Sequence, residues 1–142
     1  MGPYVRRVRR APEVVYDTPT PAYDSLETSD DFDVFNGALD RYDWKLLGKK
    51  EIYVPYNDYV LQDPKYQYTD LIKQLTLNPD AERWELHRVY VVEGTLKSSA
   101  RHIYSKRVYY LDEDSWYILM GDLYDGHHEL WRSASSTSPA VA

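Results

Sequence analysis

Cysteine is absent from this chain of 142 residues. Disulfides and thiolate-bound metals are therefore excluded, while the compartment stays open, because a periplasmic protein need not carry disulfides. Glycine is sparse, with 6 scattered residues, and no Gly-rich phosphate loop can be assembled from them. Basic residues are outnumbered: 17 Lys and Arg against 23 Asp and Glu leave a net charge of −6. Phosphate neutralisation needs a cationic surface, so general nucleic-acid binding is disfavoured. Long apolar runs are missing as well. Nothing approaches the roughly 18 apolar residues of a transmembrane helix. Arg6, Arg7, Arg9 and Arg10 are not followed by the apolar stretch of a signal peptide.

Tyrosine is what the chain has in excess, with 15 against 4 Trp and 2 Phe. A large apolar body with a polar tip suits half-wet surfaces such as strand faces and interfaces. The length fits one domain or a piece of a larger one, able to bury roughly two-thirds of its unfolded surface.

Residues 1–31 read as an irregular, basic, Pro-rich arm, broken by Pro3, Pro12, Pro19 and Pro21. Pro12 to Tyr16 is a candidate short edge strand. The arginine cluster reads as a solvated arm in preference to a headgroup contact. Residues 32–132 read as the sheet domain. Asn36-Gly37 signals a turn. Trp44 to Tyr56 reads as a strand, bent or bulged at Gly48 and stopped by Pro55. Asn57 to Tyr68 is a polar loop, and Thr69 to Leu77 fits a short helix capped by Thr69 or Asp70.

The most informative stretch is Glu82 to Arg132, where apolar and aromatic runs alternate with short polar connectors. That is the pattern of an antiparallel β-meander. Its first strand covers about Arg83 to Lys97, its second about His102 to Leu111, its third about Trp116 to Tyr124. A return from His127 to Arg132 follows an Asp125-Gly126 turn. A three-residue loop places His102 opposite Leu96 and Val108 opposite Tyr90. The connector Asp112–Ser115 is ambiguous: three loop residues set Lys106 opposite Asp122, whereas four bring Tyr117, Leu119 and Leu123 to the same side. With the first choice, Trp84, Leu86, Tyr90, Val92, Tyr104, Val108, Tyr110, Trp116, Ile118 and Met120 share one apolar face. The return strand then carries Trp131 near Met120. Ser133 to Ala142 reads as a disordered Ser/Thr/Ala tail.

Catalytic and metal spacings are not found. His127 and His128 point to opposite faces of a strand, and neither His-x-His nor HExxH accompanies His87 or His102. No GxSxG elbow exists, and carboxylate runs such as Asp112-Glu113-Asp114 fall in loops. No catalytic residue, metal ligand or cofactor is therefore assigned. The charges set within apolar strands are Glu85, Arg88, Lys106, Arg107 and Asp122. Burial of an unpaired charge is costly, so these are expected as cross-strand pairs. The alternative is that Arg88, Lys106 or Asp122 grips the head group of an amphipathic ligand.

Several blocks, in order, resemble one family: Arg6–Pro12, Phe35–Asn57, Asn78–Lys97, Lys106–Trp116 and Asp122–Arg132. It is a bacterial family of unknown function described as outer-membrane lipoprotein-sorting-like and related to the LolA/LolB carriers. The resemblance implies a curved antiparallel half-barrel closed by helices, with a cavity for acyl chains and a periplasmic or outer-membrane location. It also implies that the chain is an internal-to-C-terminal portion of a longer member, truncated or diverged at its end. No catalytic residues are carried over. His127-His128 depart from the Arg-Gly expected after the Asp-Gly turn.

Together these readings predict a mainly β fold with one or two short helices. The expected function is non-enzymatic binding or carriage of a lipid, lipoprotein or other hydrophobic ligand on a concave sheet face, alongside envelope transport proteins. The alternative is an interaction module whose apolar face packs against a partner or the missing half of the domain.

Overall fold

A computed structural model describes residues 16–21 and 24–136. The arginine cluster and all of the candidate edge strand except Tyr16 lie outside the described residues, and Tyr16 itself is in a turn. The fold is mainly β: an open, curved antiparallel sheet with strand order β1-β2-β3-β4-β5. The strands are β1 Tyr42–Pro55, β2 Trp84–Leu96, β3 Lys106–Asp112, β4 Ile118–Tyr124 and β5 Leu130–Ser135. Sequential neighbours pair throughout, as a meander requires. The bulge expected at Gly48 is present. Leu46 pairs with Val92 and Gly48 with Val91, and Gly48 takes φ of 130°, open to glycine and strained for other residues.

Between β1 and β2 lie two single-turn helices, α1 Tyr59–Gln62 and α2 Tyr68–Leu71. The helix expected over Thr69–Leu77 is thus only one turn. Gln67 rather than Thr69 caps it, with the Asp70 carboxylate accepting from Gln67 N at 2.9 Å. Ile72 and Leu77 leave the helix to form an isolated bridge.

Register departs from expectation at β2–β3. Val108 faces Glu93 and Leu111 faces Tyr90, so the pairing is displaced by an odd number of residues. An odd displacement exchanges the faces. The cause is the long connection: β3 begins at Lys106, because His102 and Tyr104 turn inward instead of extending a strand. At β3–β4 Lys106 faces Tyr124 and Val108 faces Asp122, so the expected Lys106–Asp122 pairing does not form. The turn after β4 spans residues 125–129, and β5 continues through Ser133–Ser135, into the segment read as tail. Met120 therefore faces Ser135, and Trp131 packs instead against Tyr104, 5.8 Å between ring centroids.

The sheet has two cores, one per face. On the concave face Val54, Val89, Val91, Val108 and Leu119 are buried together, flanked by Tyr110 and Met120. The sheet curls enough for β1 and β4, which are not neighbours, to approach each other. On the outer face Tyr109 and Leu123 are covered by Val34 and Phe35 of the N-terminal segment, with Trp44 beside them. Gly94 and Gly121 make that covering fit. A Cβ on Gly94 would lie 2.7 Å from the Trp44 ring, and one on Gly121 would lie 2.9 Å from Tyr109.

Candidate functional site

The residues expected to form one apolar face are divided. Trp84, Leu86, Tyr90 and Val92 lie on the outer face, while Val108, Tyr110 and Met120 lie on the concave one. Ile118 joins the outer core after a bulge, and Tyr104 is fully buried outside any strand. Trp116 sits in the β3–β4 loop at φ of 63° and stacks on Tyr90 at 5.2 Å. On the concave side the space is filled by the sheet's own side chains. One exposed apolar patch lies at the far end of the outer face, where Tyr53 pairs with Leu86 and Pro55 with Trp84. Tyr53 is 66% exposed, Leu86 56% and Trp84 45%.

Of the charges set within the strands, Arg88 has an opposite charge across the ladder, whereas Lys106 and Asp122 have other partners. Arg88 reaches Glu51 across the β1–β2 ladder at 3.3 Å. Lys106 lies over the Tyr124 ring at 3.8 Å. Asp122 accepts from the Tyr110 hydroxyl at 3.0 Å and from Ser133 Oγ at 2.8 Å.

Arg107 is the centre of the first polar cluster and is fully buried. Its Nη2 donates to Asp30 Oδ2 at 2.8 Å and its Nη1 to the Tyr109 hydroxyl at 3.1 Å. The rings of Phe35, Tyr42 and Tyr104 surround the guanidinium at 5.0–5.5 Å. Tyr104 N donates to His102 Nδ1 at 3.1 Å, and His102 Nε2 lies 3.2 Å from Asp30 Oδ2 and 3.1 Å from Arg107 Nη2. Burial pushes the Asp30 carboxyl up, but the His102 hydrogen bond, the Arg107 charge and Thr28 outweigh it and hold it at about 2. Burial pushes the Tyr42 hydroxyl up to about 12. From this cluster a hydrogen-bond chain leads outward. Tyr104 donates to Asp31 Oδ2 at 2.8 Å, and Arg132 Nη1 donates to the Tyr104 hydroxyl at 2.9 Å. It ends at a cavity of about 450 Å³ whose walls include Leu26, Asp31, Leu123, Arg132 and Ala134.

The second cluster lies at the opposite end. His87, on the concave face of β2, has Nδ1 2.9 Å from Asp112 Oδ1 and Nε2 3.4 Å from Glu85 Oε2. Ser115 donates to Asp112 Oδ2 through its N at 2.9 Å and its Oγ at 2.7 Å. Tyr56 covers the imidazole with 4.1 Å between ring centroids. Burial alone would lower the His87 pKa, yet its two carboxylate partners raise it. Asp112 is lowered: burial opposes this, and Ser115 and His87 overcome it. The reading of Asp112-Glu113-Asp114 as a loop run apart from the histidines is corrected here, because Asp112 ends β3 and both it and Asp114 come within reach of His87. The serine bonds the carboxylate and not the imidazole, so no activated nucleophile is built.

These features sit on a chain whose relatives can be stated. A family model described as "Protein of unknown function (DUF1329)" matches residues 2–141. The chain belongs to the DUF1329 family. Over 131 residues it is 58% identical to a protein of Pseudomonas aeruginosa strain PAO1, named Uncharacterized protein PA3922. The alignment covers 92% of this chain and 29% of that protein, so the chain spans less than a third of its relative's length. No solved structure matches. Among the described residues no helix is long and apolar enough to cross a membrane.

Proposed function

We propose that this chain is a non-enzymatic interaction module of the cell envelope. Its exposed outer-face patch packs against apolar surface supplied by a larger assembly. One observation carries this reading: Tyr53, Trp84 and Leu86 stand together, exposed, on a face whose other half is covered by the chain's own N-terminal segment. Aromatic and aliphatic groups left bare together on a surface are the usual anchors of protein interfaces. The length of the Pseudomonas relative makes the rest of such a polypeptide the natural partner. The envelope location rests on the family resemblance in the sequence blocks.

The test mixes this chain with the separately produced remainder of the Pseudomonas protein and follows size-exclusion chromatography. A complex that forms with the native chain and is lost with Leu86→Asp supports the reading. A chain that stays alone, with or without that substitution, overturns it.

A second reading, carriage of a lipid or other amphipathic ligand, is favoured by the cavity beside Arg132. Its walls combine Leu26, Leu123 and Ala134 with a guanidinium. Burying an acyl chain contributes roughly 0.8 kcal/mol per methylene. Saturable uptake of a fluorescent fatty acid, weakened by Arg132→Ala, would favour carriage. Absence of uptake by folded protein would leave the interaction module alone.

A further inference from the structure

The His87 cluster has the spacing of a cation seat. His87, Asp112 and Asp114 each offer a ligand atom, and those atoms lie within 4.8 Å of one another. His87 Nδ1 and Asp112 Oδ1 are 2.9 Å apart. Two ligands bound about 2.1 Å from one ion at a right angle stand about 3 Å apart. An ion can therefore take the place of the hydrogen between these two atoms with little movement of either side chain.

The surroundings are those of a supported ligand set. Glu85 Oε2 lies 3.4 Å from His87 Nε2 and is placed to hold a proton there once Nδ1 takes the ion. Asn57 Nδ2 and Arg83 Nε, each 2.8 Å from Glu85 Oε1, hold that carboxylate in turn. Ser115 occupies Asp112 Oδ2 twice over, which leaves Oδ1 as the oxygen facing the imidazole.

Charge supplies an independent observation. The Asp112 side chain is 1% exposed, and among the described residues its ion-pair contact is with His87 and with no Lys or Arg. Arg107, buried as deeply on the other face, has a full carboxylate partner in Asp30. A buried carboxylate with only a titratable imidazole beside it, and Asp114 close by, is short of positive charge.

We infer that this cluster binds a divalent transition-metal ion through His87 Nδ1, Asp112 Oδ1 and an Asp114 oxygen, with water completing the shell. One imidazole nitrogen with two carboxylates is a borderline donor set, suited to Zn²⁺ and its neighbours above Ca²⁺. Binding releases the proton shared by Nδ1 and Oδ1 to solvent.

The test is calorimetric titration of the whole chain with zinc chloride alone. It is run in the native sequence and in a His127→Gln/His128→Gln background, which removes the exposed histidine pair as a competing surface site. The expected result is one ion per chain in both, with a Kd below about 100 µM. Asp114 is exposed, so Asp114→Asn should leave the fold intact by circular dichroism while weakening binding about tenfold or more. His87→Gln should abolish it. Absence of saturable binding, or binding untouched by Asp114→Asn and lost in the His127/His128 background, overturns the inference.

Discussion

Arg107 and Asp112 are both buried charges on strand β3, and their settings differ in kind. Arg107 faces the outer side, where the N-terminal segment delivers Asp30 and seals the pair from water. Their side chains are 0% and 4% exposed. Asp112 faces the concave side at the sheet's end, where its partner His87 is 15% exposed and Asp114 lies in solvent. The first arrangement offers no entry and holds two parts of the chain together. The second stays reachable from outside. Burial of charge is thus a latch where every partner is internal, and a candidate binding seat where partners are few and one side is open.

Removing the latch gives the largest expected effect. Arg107→Met leaves Asp30 and Asp31 buried without their cation, and a loss of about 3–5 kcal/mol is expected in urea denaturation. Adding Asp30→Asn should restore part of it, because the two sites share one interaction. Next comes acid. Asp30 is held at about 2 instead of 3.8. Its folded pKa is depressed, so its contribution is fully present above the unfolded value and is lost as pH falls through the folded one. About 2 kcal/mol should disappear between roughly pH 4 and pH 2, and Asp30→Asn should flatten that part of the urea-midpoint profile.

At the open end, Ser115→Ala removes the Oγ hydrogen bond to a buried carboxylate and keeps the backbone one, and thermal melting should show a loss of about 1 kcal/mol. The smallest effect belongs to the exposed pair. Arg88 and Glu51 are 56% and 60% exposed, so Arg88→Ala should change stability by less than about 0.5 kcal/mol. A larger loss for Arg88→Ala than for Arg107→Met would reverse the ranking on which the comparison stands.

Much of the fold was legible in the residues. Alternation in Trp84–Leu96 and Lys106–Asp112 marks strands, Pro55 stops β1, and Gly48 marks its bulge. The order β3-β4-β5 follows from short connections. Register was not legible, and with it the site was lost. His102 and Tyr104 have strand-like neighbours, yet Arg107 and Asp30 draw them inward, so the hairpin lengthens and the parity of every later residue changes. Asp30 lies 77 positions from Arg107, and no local pattern reports such a contact. The His87 cluster was hidden for a similar reason. Its residues come from strand β2, from the end of β3 and from the turn after it, a run that looked solvated until the chain closed on itself.

Among the described residues strand β1 ends the sheet, and its free side runs from Tyr42 to Pro55. Unpaired backbone along such a border invites copies of the molecule to stack side by side. Here the kink at Gly48 breaks the straight run, and exposed Lys45, Lys49 and Lys50 repel an approaching ribbon. The border is thereby closed to indiscriminate fibre growth. Contact with another body is steered to the broadside of the ribbon, where tryptophan and leucine stand exposed beyond the Arg88–Glu51 pair.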